Sequence, residues 1–198
     1  MPEVKVCGVT GAAFALEAAR RGVDYLGLIF AEGSPRRVDA ETARAIASAV
    51  KGPRLVGVFV GTPVPEIVEV ARRVPLDVVQ LHGGHGADAV ETLKSSGLEV
   101  WRLYDGAFAG EDATLLDGRI GGKSGGTGRL ADWSLVAELK HAGRRVVLAG
   151  GISAENVAAA AATGADIVDV NSSLETAPGV KSVERLDALL AQLADSPT

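Results

Sequence analysis

The chain has 198 residues, 47% of them hydrophobic and 23% charged, with a formal net charge of −5. That is enough apolar material for one sizeable core, read here as a single domain over residues 1–198, and the acidic balance leaves no broad basic surface for nucleic acid or anionic lipid. No run approaches the ~20 apolar residues of a membrane span, and the acidic start "MPEV" lacks the basic-then-apolar pattern of a secretory signal, so a cytoplasmic protein with small-molecule partners is expected.

Short strand-like runs recur along the chain: VKVC (4–7), DYLGLIF (24–30), RLVGVFV (54–60), DVVQLH (77–82), EVWRLY (99–104), ATLLD (113–117), RVVLAG (145–150) and DIVDV (166–170). Between most of them lie stretches with apolar residues at helical spacing, such as FALEAARRG, AETARAIASAV, VPEIVEVARRV and AENVAAAAATG. Strands alternating with helices imply a parallel sheet, and eight such units imply a closed (β/α)8 barrel of the TIM type rather than an open doubly wound sheet. The fifth unit is defective. Only DGAFAGED separates its strand from the sixth, shorter than the dozen or so residues a crossover helix needs, so a loop is expected there. Residues 183–193 supply the eighth helix, and "ADSPT" reads as a frayed tail.

In such a barrel the chemistry sits at the carboxyl ends of the strands. Cys7, the only cysteine, ends the first run; it cannot form an internal disulfide, so it is packing material or a reagent. His82 ends the fourth run, Asp117 the sixth, Gly150 and Gly151 the seventh, and Asp169 is followed by Asn171 and Ser172 at the eighth. Glycines let backbone approach an anion, while Asn and Ser donate hydrogen bonds. Two adjacent loops of this kind after strands seven and eight form the recurrent phosphate grip of these barrels. The glycine-dense "DGRIGGKSGGTG" after Asp117 reads as mobile or anion-wrapping, with a surface loop as the plainer alternative. Period-two alternation puts Lys5 on the same inward face as Cys7, and Gln80 with His82. Lys5 then either helps ionise the thiol or forms an internal ion pair with Asp169. Arg102, in the fifth strand, either faces the pore or snorkels between helices.

Taken together, "VKVCGVT", "GLIFAEGSPRRV", "VGVFV", "VVQLHG", "LLDG…SGGTG…DW", "LAGGISAENV" and "DVNSSLETAPGVKS" resemble, in order, the phosphoribosylanthranilate isomerase family of tryptophan biosynthesis. The missing fifth helix is similar to that family too. The resemblance implies an Amadori rearrangement of N-(5-phosphoribosyl)anthranilate without cofactor or metal. It implies Cys7 as general base, Asp117 as general acid, Arg36 for the anthranilate carboxylate, and Gly150, Gly151, Asn171 and Ser172 for the phosphate. Asp169 would orient that site or the substrate hydroxyls, and His82 either acts on substrate or makes a structural hydrogen bond at the rim. His85 stands where family members more often carry an acidic residue. The family includes monomers and homodimers.

Two other readings compete. The sugar-phosphate isomerase of histidine biosynthesis resembles a two-aspartate design with Asp where this chain has Cys7. A non-catalytic phosphate-binding barrel would not need Cys7, Asp117 and Arg36 together.

Overall fold

In the computed structural model of the chain, residues 1–118 and 133–195 are described; the glycine-dense segment after Gly118 and the last three residues of the tail lie outside them. Eight parallel strands close in chain order into one barrel: β1 Glu3–Cys7, β2 Tyr25–Ile29, β3 Arg54–Phe59, β4 Val78–Leu81, β5 Glu99–Leu103, β6 Ala113–Asp117, β7 Val146–Ala149 and β8 Ile167–Val170. Around them lie α1 Ala12–Arg20, α2 Ala40–Ala49, α3 Val64–Arg73, α4 Ala87–Ser95, α5 Ser134–His141, α6 Val157–Ala162 and α7 Val183–Ala194. Local signals set several of these ends: Asp39 accepts from the Thr42 amide at 2.7 Å to start α2, and Ser182 from the Arg185 amide at 3.2 Å to start α7. No described helix is long and apolar enough to cross a membrane.

Strand alternation divides the core into two concentric layers. Tyr25, Val56, Val78, Trp101, Leu115 and Val147 fill the barrel interior, whereas Val4, Leu26, Phe59, Leu81 and Leu148 pack outward against helices. The lower mouth is closed by ion pairs. Arg145 bridges Glu3 at 2.6 Å and Glu99 at 3.0 Å, Arg54 reaches Glu99 at 2.7 Å, and the Trp101 indole donates to Glu99 at 2.6 Å.

The same mouth carries a repeated aspartate clamp. Asp24, Asp77, Asp112 and Asp166 each stand one residue before an even-numbered strand. The Oδ2 of each accepts the amide of the strand before it, from Val4, Leu55, Val100 and Val146, at 2.7–2.8 Å. The backbone amide of each aspartate returns a bond to the carbonyl of that same residue at 2.8–3.0 Å. Three of these aspartates open the runs expected as strand, and the structure shows why the strands begin one residue later: the side chain turns back to a neighbour instead of facing a layer.

Residues 104–112 join β5 to β6 without a helix, as the spacing required. Polar side chains fill the gap. Arg102 points outward, donating to the His85 carbonyl at 2.7 Å and the Ala107 carbonyl at 3.0 Å and pairing with Asp105, so it belongs to the outer layer and not to the pore. Glu111 takes the Ala109 amide at 2.7 Å and the Thr114 hydroxyl at 3.2 Å. His85, whose ring nitrogens lie 2.9 Å from the Gly83 carbonyl and 2.8 Å from that of Thr62, braces the neighbouring loop. Between β8 and α7 the chain adds a feature absent from the sequence reading: a 3-10 turn, Ser172–Leu174, and a small antiparallel hairpin of β9 Glu175–Ala177 and β10 Val180–Lys181.

Candidate active site

A cavity of about 300 Å³ opens at the carboxyl ends of the strands, within the usual range for small-molecule sites. Cys7, His82, Asp117, Gly150, Gly151, Asp169, Asn171 and Ser172 all line it. Arg36 is the one nominated residue that stands beside the cavity instead of on its wall. Among the described residues, no cluster of three or more His, Cys, Asp or Glu side chains is placed to hold a metal ion.

Cys7 ends β1 facing inward, next to β2 at Gly27. A Cβ at Gly27 would lie 2.9 Å from the Cys7 sulfur, so the glycine makes room for the thiol. Below Cys7, Lys5 is fully buried and donates to Asp169 Oδ2 at 2.6 Å. The ion-pair reading of Lys5 therefore holds. The lysine charge also favours the thiolate, as the ionisation reading expects, but it does not bring the thiol below its ordinary value. Burial pushes the Cys7 thiol up; the Lys5 charge pulls against this, Asp169 adds to it, and burial wins. Burial alone would depress Lys5, but the attraction of Asp169, then of Cys7, carries its pKa above the ordinary value. Asp169 is itself pushed up by burial, with Lys5 opposing and Asp117 reinforcing the rise.

Asp117 closes β6 across the mouth, its Oδ2 3.7 Å from His82 Nε2. The neighbouring Gly150 adopts φ 92°, and a Cβ there would sit 2.7 Å from Asp117 Oδ1 and closer still to the Gly118 amide. Its lack of a side chain thus serves the Asp117 turn as well as any anion above it. Two buried acceptors on the cavity wall, Gln80 Oε1 and Asp169 Oδ1, have no hydrogen-bond partner among the described residues. Orphaned buried acceptors are costly unless a ligand or water donates to them, so both oxygens stand available to a hydrogen-bond donor in the cavity.

The loops after β7 and β8 line the cavity beside Asp117 and Asp169. Asn156 holds the first in shape, its Oδ1 accepting from the Ser153 amide at 2.9 Å and its Nδ2 donating to the Gly151 carbonyl at 3.0 Å. The Ser173 hydroxyl donates to the Ile152 carbonyl at 2.6 Å, tying one loop to the other. Lys181 donates to Asn171 Oδ1 at 2.8 Å, which fixes that amide with its oxygen toward the lysine and leaves its NH2 as a donor for an anion.

Arg36 meets Glu175 through two bonds, Nε to Oε1 at 2.7 Å and Nη2 to Oε2 at 2.6 Å. Burial works against the Glu175 charge, but Arg36 and Lys181 hold its carboxyl well down, at about 2. Gly27, Gln80, Glu175 and Lys181 were given no role from sequence. Alternation had placed Gln80 on the inward face, whereas only folding brings residues 36, 171, 175 and 181 together.

A closed (β/α)8 barrel that gathers a thiol, a carboxyl and two small-residue loops around a cavity at its strand ends has the form of an enzyme acting on a small polar molecule. Comparison with known proteins narrows the class. The chain belongs to the N-(5'-phosphoribosyl)anthranilate isomerase family, whose model matches residues 4–192. It is 44% identical over 196 residues to the N-(5'-phosphoribosyl)anthranilate isomerase of Rubrobacter xylanophilus, covering 93% of this chain and 95% of that one. The phosphoribosyl anthranilate isomerase of Thermus thermophilus superposes with a TM-score of 0.86 at 37% identity, covering 97% and 98% of the two chains. A further phosphoribosyl anthranilate isomerase, solved in complex with reduced 1-(o-carboxyphenylamino)-1-deoxyribulose 5-phosphate, gives a TM-score of 0.83 at 28% identity over 98% and 99% of the chains.

Proposed function

We propose that the protein is a phosphoribosylanthranilate isomerase, converting N-(5-phosphoribosyl)anthranilate to 1-(o-carboxyphenylamino)-1-deoxyribulose 5-phosphate. The observation that carries this reading is a thiol and a carboxyl, Cys7 and Asp117, lining one cavity in a chain of this family. The related enzyme solved with the reduced product analogue supports the substrate class.

Asp117 gives its proton to the furanose ring oxygen, the C1–O bond breaks, and the anthranilate nitrogen lone pair forms an iminium at C1. The Cys7 thiolate then removes the C2 proton, the electron pair collapsing into the enolamine that tautomerises to the ketone. Asp169 Oδ1 and Gln80 Oε1 accept from sugar hydroxyls, and His82, 3.7 Å from Asp117, faces the reacting end. Gly150, Gly151, Asn171 and Ser172 take the phosphate, and Arg36 the aryl carboxylate. Burial holds the thiol above its ordinary value, and the reaction requires the form in which Cys7 is ionised while Asp117 keeps its proton.

A first-strand cysteine disfavours the two-aspartate histidine-pathway design. The test is the loss of anthranilate fluorescence on mixing with fresh N-(5-phosphoribosyl)anthranilate. Rapid loss is expected for the native chain, with the rate falling at least ~100-fold for Cys7→Ser and Asp117→Asn. No loss with active controls refutes the reading.

A further inference from the structure

The connection from β8 to α7 places a second charged cluster beside the cavity. The Arg36 stem crosses Gly8, where a Cβ would come within 2.8 Å of the arginine Cδ. Glu175 grips its guanidinium along the Nε/Nη2 edge. Behind it Lys181, almost wholly buried, donates to Glu175 Oε1 at 2.9 Å, to the Asn171 carbonyl at 3.0 Å and to Asn171 Oδ1 at 2.8 Å. The hairpin that carries both residues is itself anchored: the Thr10 hydroxyl donates to the Gly179 carbonyl at 2.7 Å, and Arg185 donates to the Glu175 carbonyl.

A guanidinium offers a carboxylate two bidentate edges, Nε/Nη2 and Nη1/Nη2. Glu175 occupies the first, and Nη1 has no partner among the described residues. We propose that Glu175, backed by Lys181, is a positioning residue: it locks Arg36 so that the Nη1/Nη2 edge receives the aryl carboxylate of the substrate, and it thereby sets selectivity for a carboxylate-bearing aminoaldose. This rests on the reading of Arg36 given above.

Charge explains why two residues are needed. Arg36 with Glu175 alone is neutral and attracts no second carboxylate, whereas Lys181 restores a net charge of about +1, which one substrate carboxylate neutralises. Glu175 is an orienting anion and the lysine cancels its repulsion. A competing account makes Glu175 an internal competitor that substrate must displace; it predicts the opposite sign of effect.

The experiment compares N-(5-phosphoribosyl)anthranilate with N-(5-phosphoribosyl)aniline, which lacks the carboxylate, by steady-state kinetics on native protein, Arg36→Met, Glu175→Gln, Lys181→Met and the Arg36→Met/Glu175→Gln double variant. Thermal melts establish that each is folded, and Glu175→Asp, which shortens the reach by one methylene, stands in if Glu175→Gln does not fold. Glu175→Gln is expected to raise KM for the anthranilate substrate about tenfold while kcat/KM for the aniline substrate stays within about twofold. The double variant is expected to discriminate no less than Arg36→Met alone, because Glu175 acts only through Arg36. A lowered KM in Glu175→Gln, or equal losses on both substrates, overturns the proposal. If Arg36→Met discriminates as the native protein does, the assignment of Arg36 falls and the clamp with it. If Arg36→Met loses discrimination while Glu175→Gln keeps it, the clamp alone is refuted.

Discussion

Replacing Lys5 by methionine tests how much the buried ion pair carries. The ammonium lies 2.6 Å from Asp169 Oδ2, Lys5 is wholly buried and Asp169 is only 7% exposed. Methionine fills most of the space but leaves a carboxylate with no cation in contact, and its other oxygen already lacks a partner. Breaking such a pair costs about 3–5 kcal/mol, against about 0–1 for an exposed one. For a chain of this length each kcal/mol lowers Tm by roughly 2–4 °C, so a fall of about 6–20 °C is expected. The loss depends on pH. Burial already raises the Asp169 pKa, and without Lys5 it rises further; an acid with a raised folded pKa contributes stability below its unfolded value that disappears as pH climbs through the folded value. The deficit relative to native protein is therefore smallest near pH 4 and larger at pH 8. Thermal unfolding followed by circular dichroism at both pH values measures it, and Lys5→Met/Asp169→Leu, which removes both charges, should recover most of the loss. A Tm fall below about 2 °C, or a deficit independent of pH, refutes the claim that Lys5 neutralises a buried carboxylate.

Asp77→Ala removes one of the four strand clamps and strands the Leu55 amide, so urea unfolding should show a loss of about 1–3 kcal/mol. Gly150→Ala strains a φ of 92° and drives a methyl into Asp117 and Gly118; kcat should fall at least about tenfold, and an unchanged kcat would mean that this turn does not set the position of Asp117. Gln80→Met replaces an orphaned buried acceptor with an apolar side chain of similar size, so Tm should rise by roughly 2–4 °C while kcat/KM falls; a lower Tm would mean the amide is satisfied in solution without substrate.

Much of the site was legible because it is carried by strand ends, and a strand end can be found from periodicity alone. Cys7, His82, Asp117 and Asp169 each close or nearly close an apolar run, and the cavity is lined by all four. Lys5 was placed inward by counting two back from Cys7, yet the balance of forces on the thiol was not visible, since burial depends on what the other seven strands pack around it. The aspartates at 24, 77, 112 and 166 were read as the first residues of strands or the last of loops because a clamp to a neighbouring strand leaves no period in one dimension.

The sequence by itself determined the eight-unit barrel, the missing fifth helix and the strand-end residues, because each depends on local spacing: two residues per strand repeat, 3.6 per helical turn, and too few residues between β5 and β6 for a crossover. Tertiary structure decided the rest. It set Lys5 against Asp169, aimed Arg102 outward, and joined Arg36 to Glu175 and Lys181 across 139 and 145 positions of chain. Those partners are chosen by closure of the barrel, which brings the loops after β1, β2 and β8 side by side, and nothing in the local pattern of any one loop records which other loops will meet it.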